Sequence, residues 1–329
     1  MPLQLGRLTN LQSLPNFVVG KGSDESWIRE IGSLLHLRGK LVLSRLENVI
    51  EAEDAQWANL KCKERLDELV LEWSDNTRET QLGVLDRLEP HRMLKILIIR
   101  GYAGLKFSAW IGDRLFSSMV RVYVGKCEQC QNLPPLGQLP SLKRLYITGM
   151  IAVESVGPEF YGETQDQVFP CLKLLSITNC PQLEGKFPEN LDSLETLRII
   201  KCKGLVISIS NYKQIGALDI DGCKVVVKTS GVEFELLESL QLTNISEVKL
   251  QTGEFTKGLR KVANLTIGGC EELTFSLKNE DRVLQHLISL DRLVIEGNSS
   301  LLEKMGKEAE ELLQLQILTS KLKYLELYK

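Results

Sequence analysis

Three histidines, His36, His91 and His286, and eight cysteines are the side chains of this 329-residue chain best suited to catalysis or metal binding. A catalytic triad needs a nucleophile and a carboxylate within reach of a histidine, and a zinc site needs grouped thiolates or imidazoles. The histidines lie far apart in the chain, with no nucleophile or carboxylate at motif spacing, so no enzyme is expected. Cys127-Glu128-Gln129-Cys130 is formally C-x-x-C, but no second C-x-x-C or histidine cluster accompanies it, and both thiols are read as structural. Gly20-Lys21-Gly22-Ser23 is the only hint of a phosphate loop; it lacks the G-x-x-x-x-G-K-[ST] spacing that lets backbone amides wrap phosphates. Neither cofactor nor metal is therefore expected in this chain. What remains is Arg100, Arg121, Arg144 and Arg198 with Tyr123 and Tyr146, types that join buried area to directional hydrogen bonds. Their chemistry is recognition, and it requires elements that carry residues so far apart in sequence onto one surface.

The totals narrow the partners. A net charge of -3 gives no strong electrostatic footprint, so proteins are expected as partners, and nucleic acid and membrane are not. No apolar run approaches the ~18–20 residues that span a bilayer, and Met1-Pro2-Leu3-Gln4-Leu5-Gly6-Arg7 lacks the layout of a signal peptide. The cytoplasm is the expected compartment, and the cysteines are not read as a disulfide framework.

A repeat supplies the positioning elements. Leu142-Lys143-Arg144-Leu145-Tyr146-Ile147, Leu172-Lys173-Leu174-Leu175-Ser176-Ile177 and Leu194-Glu195-Thr196-Leu197-Arg198-Ile199 share the pattern L-x-x-L-x-[LIV]. The frame recurs at Leu66/Leu69/Leu71, Leu94/Leu97/Ile99, Met119/Val122/Val124, Ile215/Leu218/Ile220, Leu237/Leu240/Leu242, Val262/Leu265/Ile267, Leu290/Leu293/Ile295 and Leu322/Leu325/Leu327, with a weaker copy at Leu41/Leu43/Leu46. This is the leucine-rich-repeat consensus. Each x-L-x-L-x segment is a short strand with alternating side chains, and one repeat alone cannot bury its apolar face, so repeats stack into a parallel sheet. The expected fold is an α/β leucine-rich-repeat solenoid, with a curved parallel sheet on the concave face and irregular turns and short helices on the convex face. Residues 1–329 are read as a single array of about 12 irregular repeats, truncated at both ends.

The position just after each strand holds Cys127, Met150, Cys180, Cys202, Cys223, Ile245, Cys270 and Asn298, a slot whose short side chain turns inward. Five of the eight cysteines are thereby structural. Strand starts are spaced irregularly, from Leu194 to Ile215 at the short end to Leu290 to Leu322 at the long end. The insertions Glu51 to Arg65 and Glu303 to Leu318 are expected as convex-side helices. Trp110, in Phe107-Ser108-Ala109-Trp110-Ile111, is expected to pack in the core.

Some stretches go beyond the generic repeat. Leu8-Thr9-Asn10-Leu11-Gln12-Ser13-Leu14-Pro15-Asn16-Phe17, Ala55-Gln56-Trp57-Ala58-Asn59-Leu60 running on to Glu72-Trp73, and Asn132-Leu133-Pro134-Pro135-Leu136-Gly137-Gln138-Leu139-Pro140-Ser141-Leu142-Lys143-Arg144-Leu145 are the most specific. They resemble the plant coiled-coil-type nucleotide-binding leucine-rich-repeat immune receptors, and the resemblance weakens after about Cys223. It implies intracellular sensing of a pathogen effector or a guarded host protein, with the repeats restraining a nucleotide-binding switch. The family's nucleotide-binding module precedes the repeats, so ADP or ATP is expected only in such an upstream module. Either the chain is a fragment, or it is a truncated product acting through a partner.

The outward strand positions form the candidate partner surface: Ile96, Ile98 and Arg100, then Arg121 and Tyr123, then Arg144, Tyr146 and Thr148, and later Thr196 and Arg198. Arg100, Arg121, Tyr123, Arg144, Tyr146 and Arg198 are the expected protein-binding residues. Glu68, Glu72 and Trp73 fall on outward positions of an early strand, where an intramolecular contact with a preceding module is expected. Other recognition classes stay open: a free-standing adaptor or decoy, and an extracellular receptor ectodomain. Asn244-Ile245-Ser246, Asn264-Leu265-Thr266 and Asn298-Ser299-Ser300 are formal glycosylation sequons, but each overlaps a framework position of the repeat and is better read as chance.

Overall fold

Apolar residues two apart in a short extended segment fall on one face, and parallel neighbours in the same register pool those faces into a core. In a computed structural model of the chain, residues 4–21, 27–74, 83–162, 168–188, 191–208, 212–226, 236–246, 248–249, 259–270, 287–297, 303, 306–307, 310 and 322–328 are described. They fall into two compact units, Met1–Leu172 and Lys173–Lys329.

In the first unit the strands are β1 (Asn16–Val18), β2 (Arg38–Ser44), β3 (Arg65–Glu72), β4 (Ile96–Arg100), β5 (Arg121–Gly125) and β6 (Arg144–Thr148). They pair in sequence order, all parallel. A two-residue strand, β7 (Ser155–Val156), follows. The inward pairs Leu41/Leu43, Leu69/Leu71, Leu97/Ile99, Val122/Val124 and Leu145/Ile147 are buried, as are the leading Leu66, Leu94, Met119 and Leu142. Each such side chain contributes about 1.5–3 kcal/mol of transfer free energy, which is why the repeat pattern dictates the sheet. Helices are brief: α1 (Arg29–Gly32), α2 (Ala52–Ala55), α3 (Val84–Arg87) and α4 (Pro158–Tyr161) are each one turn long.

The second unit alternates between two parallel sheets. Its strands are β8 (Leu174–Thr178), β9 (Glu184–Lys186), β10 (Thr196–Ile200), β11 (Gly204–Ser208), β12 (Ala217–Asp221), β13 (Lys224–Val226), β14 (Ser239–Thr243), β15 (Val248–Lys249), β16 (Asn264–Gly268), β17 (Arg292–Glu296) and β18 (Tyr324–Tyr328). β8, β10, β12, β14, β16, β17 and β18 pair in that order, and β9, β11, β13 and β15 form the smaller sheet. In the larger sheet the inward pairs from Leu175/Ile177 to Leu293/Ile295 are buried.

Three expectations need correction. The stretch 51–65 is not one helix: α2 ends at Ala55, two 3-10 turns follow, and Asn59 between them sits in the left-handed region at φ 50, which breaks the α-helical ladder. The weak copy at Leu41/Leu43/Leu46 is shifted by a bulge at Gly39/Lys40, so Leu41 and Leu43 align with Leu69 and Leu71, and Leu46 fills the slot after the strand. Third, the second unit carries a smaller parallel sheet besides the irregular turns and short helices that were expected outside the main sheet. The other expected helix, 303–318, lies largely outside the described residues.

Lys63 has no counterpart in the sequence reading. It is 0% exposed, and its Nζ donates to the carbonyls of Ile31 (2.8 Å) and Leu34 (3.1 Å) at the end of α1. The ammonium thus adds donors to the carbonyls of the turn that ends α1, where Ile31 also accepts the Leu34 N–H at 3.0 Å. Burial lowers the ammonium from its ordinary 10.5 to about 8.

Candidate protein-recognition face

Register turns the outward positions of the first unit into rows. One row runs Lys40, Glu68, Ile96, Arg121, Arg144; the next runs Val42, Val70, Ile98, Tyr123, Tyr146; the third runs Ser44, Glu72, Arg100, Gly125, Thr148. An apolar and aromatic stripe is thus flanked by charged rows. Tyr123 and Tyr146 lie side by side with ring centroids 6.5 Å apart.

The charges differ in how they are satisfied. Lys40 pairs with Glu68 at 2.9 Å, and Arg100 pairs with Glu72 at 2.7 Å while its guanidinium lies 5.3 Å from the Tyr123 ring centroid. Arg121 and Arg144 sit directly opposite each other on adjacent strands. Like charges so placed destabilise a sheet. Among the described residues neither has an ion-pair partner, and Arg121 Nε is buried with no acceptor. Tyr123 and Thr148 close over Gly125 in the third row: a Cβ there would stand 2.7 Å from the Tyr123 ring and 2.9 Å from Thr148 Cγ2.

The turn after most strands of the two longer strand series is equally regular. The first residue past the strand is left-handed at Arg45, Gly101, Lys126, Gly149, Asn179, Lys201, Gly222, Asn244, Gly269 and Gly297. Its N–H donates to the last carbonyl of the next strand, as from Gly101 to Gly125 (2.9 Å), Lys126 to Thr148 (2.9 Å) and Lys201 to Asp221 (2.8 Å). Glycine and asparagine tolerate this conformation; lysine and arginine carry a cost of roughly 1–2 kcal/mol. Next comes the inward slot, where Cys127, Met150, Cys180, Cys202, Cys223, Ile245 and Cys270 are buried as the sequence implied. The thiols of Cys127, Cys202, Cys223 and Cys270 donate to the carbonyl two residues before, at 3.1–3.4 Å. Asn298 lies outside the described residues.

Cys127 and Cys130 are both buried free thiols. Burial pushes Cys127 up to about 12 and raises Cys130 as well. Such thiols are protonated near neutrality and are poor nucleophiles and ligands. Among the described residues no cluster of histidine, cysteine and carboxylates could hold a metal. Trp110 is buried and donates to the carbonyl of Leu85 at 2.9 Å.

Arg100, Arg121, Tyr123, Arg144 and Tyr146 therefore share the outward face of β4–β6. Arg198 belongs to the second unit, where it pairs with Asp219 at 2.7 Å. Glu68 and Glu72 do point outward, but Lys40 and Arg100 engage them. Trp73 corrects its expected position. It is 5% exposed and tilted against Tyr102 at 5.1 Å, because the alternation that buries Leu69 and Leu71 carries on to it and its backbone does not take the left-handed turn.

The stacked parallel strands, the buried slot and the patterned outward face define a leucine-rich-repeat protein. More particularly, the chain belongs to the leucine-rich-repeat domains of plant nucleotide-binding leucine-rich-repeat disease-resistance proteins. Residues 28–150 match the family described as R13L1/DRL21 LRRs. A disease resistance RPP13-like protein 1 of Arabidopsis thaliana is 33% identical over 304 residues, covering 76% of this chain and 29% of that protein. Disease resistance protein RGA2 of Solanum bulbocastanum is 30% identical over 254 residues, covering 73% of this chain and 26% of that protein. The chain thus spans under a third of the length of these relatives. Among the described residues no helix is long and apolar enough to cross a membrane.

Proposed function

We propose that the outward face of β4–β6 recognises a protein, a pathogen effector or a guarded host protein, in the cytoplasm. On this reading the domain also restrains a nucleotide-binding module elsewhere in the receptor, and ADP or ATP belongs to that module. The observation that carries the proposal is the unpaired Arg121 and Arg144 beside the Tyr123/Tyr146 stripe. The sheet gains nothing from two facing guanidiniums, whereas a partner presenting carboxylates around an apolar ridge would gain both charge-assisted hydrogen bonds and buried aromatic area. Its kinship with disease-resistance proteins supports a defence setting. An intramolecular contact through Glu68 and Glu72 would have to displace Lys40 and Arg100, so the restraining contact is better sought on other surfaces.

The test is charge reversal. Arg121→Glu with Arg144→Glu, in the receptor that carries this domain, abolishes recognition-dependent cell death while leaving protein accumulation unchanged. Full recognition by the double variant would remove the basis for this face.

A further inference from the structure

We propose that a groove at the carboxyl ends of β2–β5 binds an acidic polypeptide segment through Arg45, Arg100 and Lys126. The groove encloses about 650 Å³, and besides these three cations its walls include Glu72, Trp73 and Tyr123. The groove shares Arg100 and Tyr123 with the recognition face but extends past the strand ends to Arg45 and Lys126, and the proposal does not depend on an immune role.

Three independent features point to an anionic ligand. First, Arg45 (φ 58) and Lys126 (φ 54) hold the left-handed position that glycine or asparagine fills in most other repeats. Strain of this kind is retained where it serves a site, and both strained cations open onto the same groove. Lys201 repeats the arrangement singly in the second unit. Second, Arg45 and Lys126 are exposed and have no ion-pair partner among the described residues, and the lining offers three cations against one carboxylate, Glu72, which Arg100 already holds. Third, the indole N–H of Trp73, in the groove wall, is buried with no acceptor among the described residues.

The same features select the class of anion. From β2 to β5 the groove crosses three strand spacings, roughly 14 Å, which matches about four residues of extended chain at ~3.4 Å each. Glu72 in the wall, and Glu47 beside it accepting from the Ser74 N–H at 3.0 Å, repel a continuous phosphate backbone but leave room for spaced carboxylates.

The probe is a fluorescent hexaglutamate peptide titrated into the 329-residue chain by anisotropy, with hexaglutamine and a single-stranded hexathymidylate as controls. Hexaglutamate binds, and binding weakens at least about tenfold between low and moderate salt. Hexaglutamine does not bind, and the oligonucleotide binds more weakly. Arg45→Asn with Lys126→Asn, which installs the residue found at Asn179 and Asn244, cuts peptide affinity at least about tenfold and raises Tm by about 4 °C or more. Lys201→Asn has about half that effect on Tm and none on binding. Wild-type affinity in the double variant, equal binding of hexaglutamine, or tighter binding of the oligonucleotide would each overturn the proposal. A Tm unchanged or lowered in the double variant would overturn the argument from strain.

Discussion

Lys63→Met should flatten the pH dependence of stability in the first unit. The folded lysine titrates near 8 because burial penalises its charge, whereas the unfolded one titrates at its ordinary 10.5. As pH rises from 7 to 9 the folded state sheds this proton and the unfolded state keeps it. The unfolded state then binds more protons, and stability rises with pH. Integrated over that window the gain is about 1.3 kcal/mol, and it is complete only when pH passes the unfolded value. Raised thiols act in the opposite sense: the unfolded forms of Cys127 and Cys130 ionise first above about 9, so they erode stability there. That erosion is common to wild type and variant and cancels in their difference. Urea unfolding followed by tryptophan fluorescence isolates the effect, since all four tryptophans, Trp27, Trp57, Trp73 and Trp110, lie within Met1–Leu172. The wild-type minus Lys63→Met stability should grow by about 1.3 kcal/mol between pH 7 and 9. Parallel pH curves would mean that the ammonium does not titrate from a buried seat at the end of α1, and the reasoning fails.

Other predictions concern the turns and the sheet face. Gly101→Ala drives its new methyl into the Trp73 carbonyl at a backbone of φ +69, while the same change at Gly149, φ +65, meets nothing nearer than 3.6 Å. Denaturant midpoints should show about 1 kcal/mol lost at Gly149 and at least twice that at Gly101; equal losses would exclude the close approach. Cys62 and Cys171 are the two cysteines that are not buried, so a thiol reagent should titrate them quickly and reach the other six only on unfolding. A third fast thiol would contradict the slot. Arg144→Glu beside Arg121 replaces a repulsive cross-strand pair with an attractive one, and thermal melts should show stability held or raised by about 0.2–1 kcal/mol.

The sheet was legible because alternation leaves few alternatives: once Leu142, Leu145 and Ile147 point inward, Arg144 and Tyr146 must point outward, and the same logic placed Arg100, Arg121 and Tyr123. The cysteine slot was legible for a related reason, since small residues recur at a fixed offset from the strand. The rest depended on contacts that no local pattern encodes. Lysine is ordinarily exposed, and only the nearby end of α1 makes a buried Lys63 tolerable. Trp73 is the exception, legible by parity alone: it alternates with the outward Glu72 and so joins Leu69 and Leu71 on the inward side. Asn59 breaks an otherwise helical run through its backbone angle. The smaller sheet did leave a trace in the alternating Leu205 and Ile207 of β11, both buried, but the strands around it are too short to stand out. The left-handed Arg45 and Lys126 emerge only when backbone angles are compared across repeats.

The most direct measurement of the central claim is partner affinity in a matched set of charge reversals. Arg121→Glu and Arg144→Glu change the outward face of β5 and β6, whereas Lys106→Glu and Arg92→Glu change exposed cations away from those strands. Isothermal titration with the recognised protein should show binding lost for the first pair, at least about 2 kcal/mol for each arginine, and retained for the second. Equal losses in both pairs, or a loss confined to Lys106 and Arg92, would contradict recognition through this face.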